Sequence, residues 1–173
     1  IKVSAVAPEH QVVEAPAIVL DDQDKLEGMF KAGLLNKDCV VVVRYQGPKA
    51  LGMPELHKLT PFLGILQDKG YKVALVTDGR MSGASGKVPA AIHLVPEAVD
   101  GGLLAKLQNG DLIRVDAVSG QIECLEDMNV VNSREAAPNP KGNQRGCGRE
   151  LFAVNRDNIS NAEQGASYLF AGE

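Results

Sequence analysis

Ser82 stands in the stretch Thr77-Asp78-Gly79-Arg80-Met81-Ser82-Gly83-Ala84-Ser85-Gly86-Lys87, directly after the apolar run Val73-Ala74-Leu75-Val76. The stretch gathers hydroxyls, an acid, two cations and three glycines (Gly79, Gly83, Gly86). Glycine lets backbone approach a ligand closely and reach positive φ. A serine hydroxyl becomes a useful base or nucleophile only where its surroundings lower its pKa, and cations hold anionic substrate groups. Two specific templates fail. A phosphate-binding Walker loop needs a glycine five residues before Gly86, where Met81 stands, and a Ser or Thr after Lys87, where Val88 stands. A hydrolase nucleophile elbow needs glycines two residues either side of the serine, where Arg80 and Ala84 stand. From local sequence, a catalytic loop and a plain surface loop both remain open readings of this stretch.

The elements that would position this loop follow from periodicity. Residues 73–77 read as a buried strand ending at the loop, a common location for sites in α/β proteins. Four consecutive valines, Val40 to Val43, mark a strand buried on both faces. Residues 1–6, 17–20 and 90–95 are further strand candidates. Residues 112–118 and 121–125 predict a hairpin around Ser119-Gly120. Asp21, Asp22 and Asp24 predict the start of a helix over 25–31, ended by Gly33. Leu56, Leu59, Leu63 and Leu66 predict a second helix over 54–69, opened by Pro54 and kinked at Pro61. Val130-Val131 reads as a short strand, residues 133–148 as a long loop, and residues 149–156 as helical. Short strands outnumber helices too far for a regular doubly wound fold. The fold class predicted is therefore α/β, a small barrel or layered sheet with short mixed strands and flanking helices.

Composition narrows the function classes. The chain has 173 residues, 45% hydrophobic, which suits one domain with a real core. Its net charge of −4 gives no basic surface for nucleic acid or an anionic membrane. It contains no apolar run near the roughly 18 residues of a membrane span. Cys39, Cys124 and Cys147 are scattered and odd in number, which predicts a reducing cytoplasm rather than a disulfide framework; Cys39 and Cys124 read as packed thiols, while Cys147, between Gly146 and Gly148, stands in a loop-like setting. The opening Ile1-Lys2-Val3 has neither an initiator Met nor a signal peptide, so the chain is expected to be the C-terminal domain of a longer protein.

Three segments, in order, resemble the dihydroxy-acid and sugar-acid dehydratase family. They are Val42-Val43-Arg44-Tyr45-Gln46-Gly47-Pro48-Lys49 with Gly52-Met53-Pro54-Glu55, then Thr77-Asp78-Gly79-Arg80-Met81-Ser82-Gly83, then Val95-Pro96-Glu97-Ala98. Ser82 through His93, and the tail from Cys147 through Ala166, are similar to the subgroup acting on a phosphorylated sugar acid.

The resemblance implies a swivelling β/β/α barrel. It also implies removal of water from a 2,3-dihydroxy acid to give a 2-keto-3-deoxy acid. An iron–sulfur cluster would be held by cysteines of a separate N-terminal domain, and Mg²⁺ would sit at the substrate. Ser82 matches the position the family uses as base, acting as an alkoxide, and Glu55 matches a Mg²⁺ ligand. The alternatives are physical too: a turn serine bonding its own backbone, and an acid favouring a helix dipole in its first turn. Arg80, Ser85 and Lys87 are the candidate substrate contacts, with Lys87 expected at the phosphate. Arg44, Lys49, Lys141 and Arg145 are further cations able to meet an anion. His10, His57 and His93 show no metal-ligand spacing. The expected partners are the N-terminal domain of the same enzyme, a second copy in a homodimer, and a small sugar-acid phosphate. Another dehydratase of the family, or a non-catalytic docking module, are the competing functions.

Overall fold

The computed structural model describes residues 1–82, 86–146 and 148–169. Its frame is a six-stranded mixed sheet curled into a half-barrel, in the order β4-β3-β2-β1-β5-β6. The strands are β1 (Val12–Leu20), β2 (Cys39–Val43), β3 (Val73–Thr77), β4 (Ala90–Ala91), β5 (Leu112–Asp116) and β6 (Gln121–Cys124). Strands β1 to β4 run parallel, while β5 and β6 run antiparallel at the other edge. The helices are α1 (Lys25–Lys31), α2 (Pro48–Leu51), α3 (Thr60–Asp68), α4 (Met128–Ser133) and α5 (Ala153–Asn158). No helix among the described residues is long and apolar enough to cross a membrane.

The valine run behaves as its composition dictates. Val40 and Val42 point into one core with Ala74, Val76, Leu104 and Val115; Val41 and Val43 point into the other with Leu26, Leu59, Leu63 and Leu75. Residues alternate across a strand, so a strand between two cores must be apolar throughout. Leucines from α1, α3 and the segment before α3 cover the second face. Leu63 is fully buried there, so Leu63→Ala is expected to cost about 2–5 kcal/mol of stability, read by chemical denaturation.

Several expected elements differ. Residues 1–6 form no strand beyond a single antiparallel bridge of Lys2 with Ala90. Strand β1 begins at Val12, before the expected 17–20. Pro16 disguised that extension, and it lies at the last register position with β5, where the antiparallel pairing stops. The helix expected over 54–69 starts at Thr60, and Pro61 occupies its first turn instead of kinking its middle. Pro48–Leu51 forms a helical turn between β2 and Glu55. The strand expected over 90–95 is only Ala90–Ala91, since His93 adopts a left-handed φ of 59°. Val130 and Val131 are helical, in a helix whose first turn is capped by the Asp127 carboxylate accepting from the Asn129 N–H at 2.8 Å.

Candidate active site

Strands β2 and β3 are parallel neighbours, so the chain leaves both at the same end of the sheet. From β2 it passes through Tyr45, Gln46 and Gly47 into α2, then through Gly52 and Met53 to Glu55. From β3 it passes through Asp78 and Gly79 to Arg80, Met81 and Ser82. The two exits meet again: Glu55 and Arg80 form a parallel bridge, and the Leu56 N–H donates to the Arg80 carbonyl at 2.9 Å. The Arg80 guanidinium donates through Nε to the Met53 carbonyl at 2.8 Å and brings Nη1 to 3.9 Å from Glu55 Oε2. Both side chains are half-exposed, and Ser82 is exposed two residues beyond. Glu55 therefore lies in an extended segment, not in the first turn of a helix, and the helix-dipole explanation for it falls.

Two buried carboxylates stand beneath these exits. Asp78 accepts from the Gln46 N–H at 2.9 Å through Oδ1, and from the Tyr45 and Ala98 N–H groups at 3.1 and 3.0 Å through Oδ2. Glu97 accepts from the Lys49 N–H at 3.1 Å and the Ala50 N–H at 3.3 Å, at the start of α2. Both are fully buried. Burial pushes the Asp78 carboxyl above its usual range against the pull of its N–H donors. Burial does the same to Glu97, with the neighbouring Asp78 and Asp100 charges adding to it. A Cβ added at Gly47 would lie 2.3 Å from Glu97 Oε2, and one at Gly79 would lie 2.7 Å from Gln46 Cβ. The Gly47 position abuts the Glu97 carboxylate and the Gly79 position abuts Gln46 and Leu56, so a side chain at either would force a neighbour to shift.

Lys87 pairs with Asp68 beside α3, and its carbonyl accepts from Gln67 Nε2 at 3.2 Å. It precedes β4, which is parallel to β3, so it lies toward the end of the sheet where β3 begins, away from Ser82. Ser85 and Cys147 lie outside the described residues. Arg44 is committed to structure: Nε donates to Asp21 at 2.6 Å and Nη1 to the carbonyls of Leu104, Ala105 and Leu107. Lys49 pairs with Asp100 at 2.6 Å. Lys141 opens a short helical turn, and Arg145 lines a cavity of about 630 Å³ with Lys49 and Arg156. His57 Nδ1 lies 3.3 Å from the Glu55 carbonyl. His93, whose N–H donates to the Gly79 carbonyl at 3.0 Å, stands at the same sheet end as Arg80. Burial and the Arg80 charge hold its imidazole below the usual pKa.

As donors for a cofactor, these residues divide clearly. Glu55 offers one accessible carboxylate whose ion-pair partner among the described residues is the Arg80 guanidinium at 3.9 Å, which fits one ligand position of a hard, oxygen-seeking cation. Among the described residues no three His, Cys, Asp or Glu side chains gather to hold a metal ion. Cys39 is sealed inside β2, where burial pushes its thiol up to about 11, and Cys124 sits apart on β6. A cluster is held by several thiolates together, and among the described residues neither cysteine belongs to a group of metal-ligating side chains, so neither fits a cluster.

Residues 1–166 match the family model described as dihydroxy-acid/6-phosphogluconate dehydratase C-terminal. The chain is 64% identical over 165 residues to a phosphogluconate dehydratase of Pseudomonas aeruginosa, covering 95% of this chain and 27% of the relative. It is 57% identical over 169 residues to the phosphogluconate dehydratase of Escherichia coli K12, covering 97% and 28%. It is 56% identical over 171 residues to that of Zymomonas mobilis, covering 99% and 28%. The chain thus spans little more than a quarter of the length of the relatives it matches.

Proposed function

The chain belongs to the dihydroxy-acid/6-phosphogluconate dehydratase C-terminal family, and from that premise we propose that it is the C-terminal part of an enzyme converting 6-phospho-D-gluconate to 2-keto-3-deoxy-6-phosphogluconate and water, a step of the Entner–Doudoroff pathway in the cytoplasm. The observation that carries this reading is identity of 56–64% along nearly the whole chain to relatives all bearing the name phosphogluconate dehydratase.

In this reading Ser82 takes the proton from C2 of the substrate. The hydroxyl on C3 departs with a proton as water, and the resulting enol ketonises at C2. Arg80, whose Nε is anchored to the Met53 carbonyl, keeps its remaining N–H donors for the substrate carboxylate and raises the local positive potential around the Ser82 hydroxyl. Glu55 would contribute one oxygen to a Mg²⁺, which would supply positive charge where the enolate develops. The family's iron–sulfur cluster is assigned to the N-terminal part of the enzyme, which also closes over Ser82, and the whole enzyme is expected to work as a homodimer. The 173-residue chain by itself is expected to be inactive.

Lys87 and Ser85 are the remaining proposed substrate contacts, with Lys87 at the phosphate. That role requires Lys87 to exchange Asp68 for the phosphate, an exposed pair worth at most about 1 kcal/mol, and also requires the substrate to reach from Ser82 toward the end of the sheet where β3 begins. The test uses the full-length enzyme, supplied with Mg²⁺ and its reconstituted cluster, on 6-phosphogluconate, gluconate and a branched-chain dihydroxy acid. The phosphorylated acid is expected to be strongly preferred; preference for either other acid would overturn the substrate. Lys87→Ala should raise KM for 6-phosphogluconate by about 10- to 100-fold, the worth of a hydrogen bond to a charged group, and leave gluconate unchanged. An equal effect on both substrates would reduce Lys87 to a surface ion pair.

A further inference from the structure

We propose that Asp78 and Glu97 are positioning residues that jointly set the spacing between Ser82 and Glu55, acting through backbone N–H groups and not through substrate.

Asp78 begins the Ser82 exit, yet its carboxylate is spent on the other chain segments: Tyr45 and Gln46 of the β2 exit and Ala98 of the segment that carries Glu97. Glu97 in turn holds the first N–H groups of α2, the helix that delivers the chain to Glu55. The linkage is closed on the far side by the Met53 N–H donating to the Gly47 carbonyl at 3.1 Å and by the Leu56 N–H donating to Arg80. Neither carboxylate belongs to any ion pair found among the described residues. Five backbone N–H groups are their solvation, so each acid is tied to those amides by the full cost of leaving a buried charge unsatisfied. Three exits from the sheet are thereby referenced to two carboxylates, where the packing leaves no room for a Cβ at Gly47 or Gly79. Asp78 and Glu97 are about 20 residues apart in sequence but act on the same pair of segments, which is why their roles are coupled.

The inference rests on the proposed roles of Ser82 and Glu55, and its test separates the two. In the full-length enzyme, Asp78→Asn must turn its NH₂ toward at least one of three converging N–H donors. Glu97→Gln can keep its carbonyl oxygen on Lys49 and Ala50. Asp78→Asn should therefore lower kcat by about 10²-fold, the effect of misplacing a catalytic group by roughly an ångström, and Glu97→Gln by about 10-fold. KM for 6-phosphogluconate should stay within about 3-fold, because neither acid touches substrate. Hydrogen exchange should quicken in both residues 45–57 and residues 79–82, and not over β1, β5 or β6. Exchange confined to one of the two segments, uniform quickening over the whole domain, or wild-type kcat per folded molecule would overturn the proposal. Glu97→Gln keeps the test alive if Asp78→Asn fails to fold. Should the parent enzyme turn over no sugar acid, the proposed function fails while the exchange pattern still decides whether the two acids couple the segments.

Discussion

Ser82→Ala in the full-length enzyme is expected to lower kcat by about 10²- to 10⁴-fold, the range a positioned general base contributes. The protein should otherwise be intact. Ser82 is exposed, and exposed substitutions of this size shift stability by about 0.5 kcal/mol or less. A free serine is a poor base at neutral pH, so the loss tests whether its surroundings activate it. Arg80 places a guanidinium two residues away, anchored at 2.8 Å to the Met53 carbonyl, and the anchoring keeps that charge at the site without reorganisation. The decisive readout is exchange of the substrate's C2 hydrogen with deuterated solvent. If Ser82 is the base, exchange and turnover disappear together. Turnover within about threefold of the parent would return Ser82 to the role of a turn residue, a common use of serine among glycines.

How much of this site was legible in sequence depends on how local each determinant is. The buried strands were, because burial on both faces demands an unbroken apolar run and Val40 to Val43 supply one. The start of α3 was not. Pro54 and Pro61 both satisfy the first-turn preference, and the choice between them is made by the Leu56 N–H donating to Arg80, 24 residues on. That same bond moves Glu55 from a helix end to a bridge beside Arg80, so the most consequential misplacement in the chain has a long-range cause. Asp78 and Glu97 could be quoted in motifs but not given work, since their partners are backbone amides 20 to 48 residues away and carry no side-chain signature. The nearness of Lys87 to Ser82 in sequence suggested nearness in space, yet Lys87 precedes β4, which is parallel to β3, and so lies toward the end of the sheet where β3 begins.

Glu55→Gln is the second large effect expected, and it discriminates between two uses of one carboxylate. If Glu55 only partners Arg80, little is at stake: the ion pair is 3.9 Å long with both side chains about half-exposed, and such pairs are worth about 0–1 kcal/mol. Glu55→Gln would then have a small consequence, with no change in the Mg²⁺ requirement. If Glu55 is a ligand, the substitution exchanges a charged oxygen for a neutral one at a hard cation that favours charge. The Mg²⁺ concentration giving half-maximal activity should rise by at least the roughly 10- to 100-fold that even outer-shell partners of a metal can cost. Raising Mg²⁺ should restore part of kcat in Glu55→Gln and none in Ser82→Ala. The bridge geometry favours a clean result. The backbone of Glu55 is pinned beside Arg80 independently of its side chain, so the amide variant keeps its place in the fold while losing its charge. A Glu55→Gln enzyme with parental kcat and an unshifted Mg²⁺ response would leave Glu55 as Arg80's neighbour and send the search for the metal's ligands to the remaining three quarters of the polypeptide.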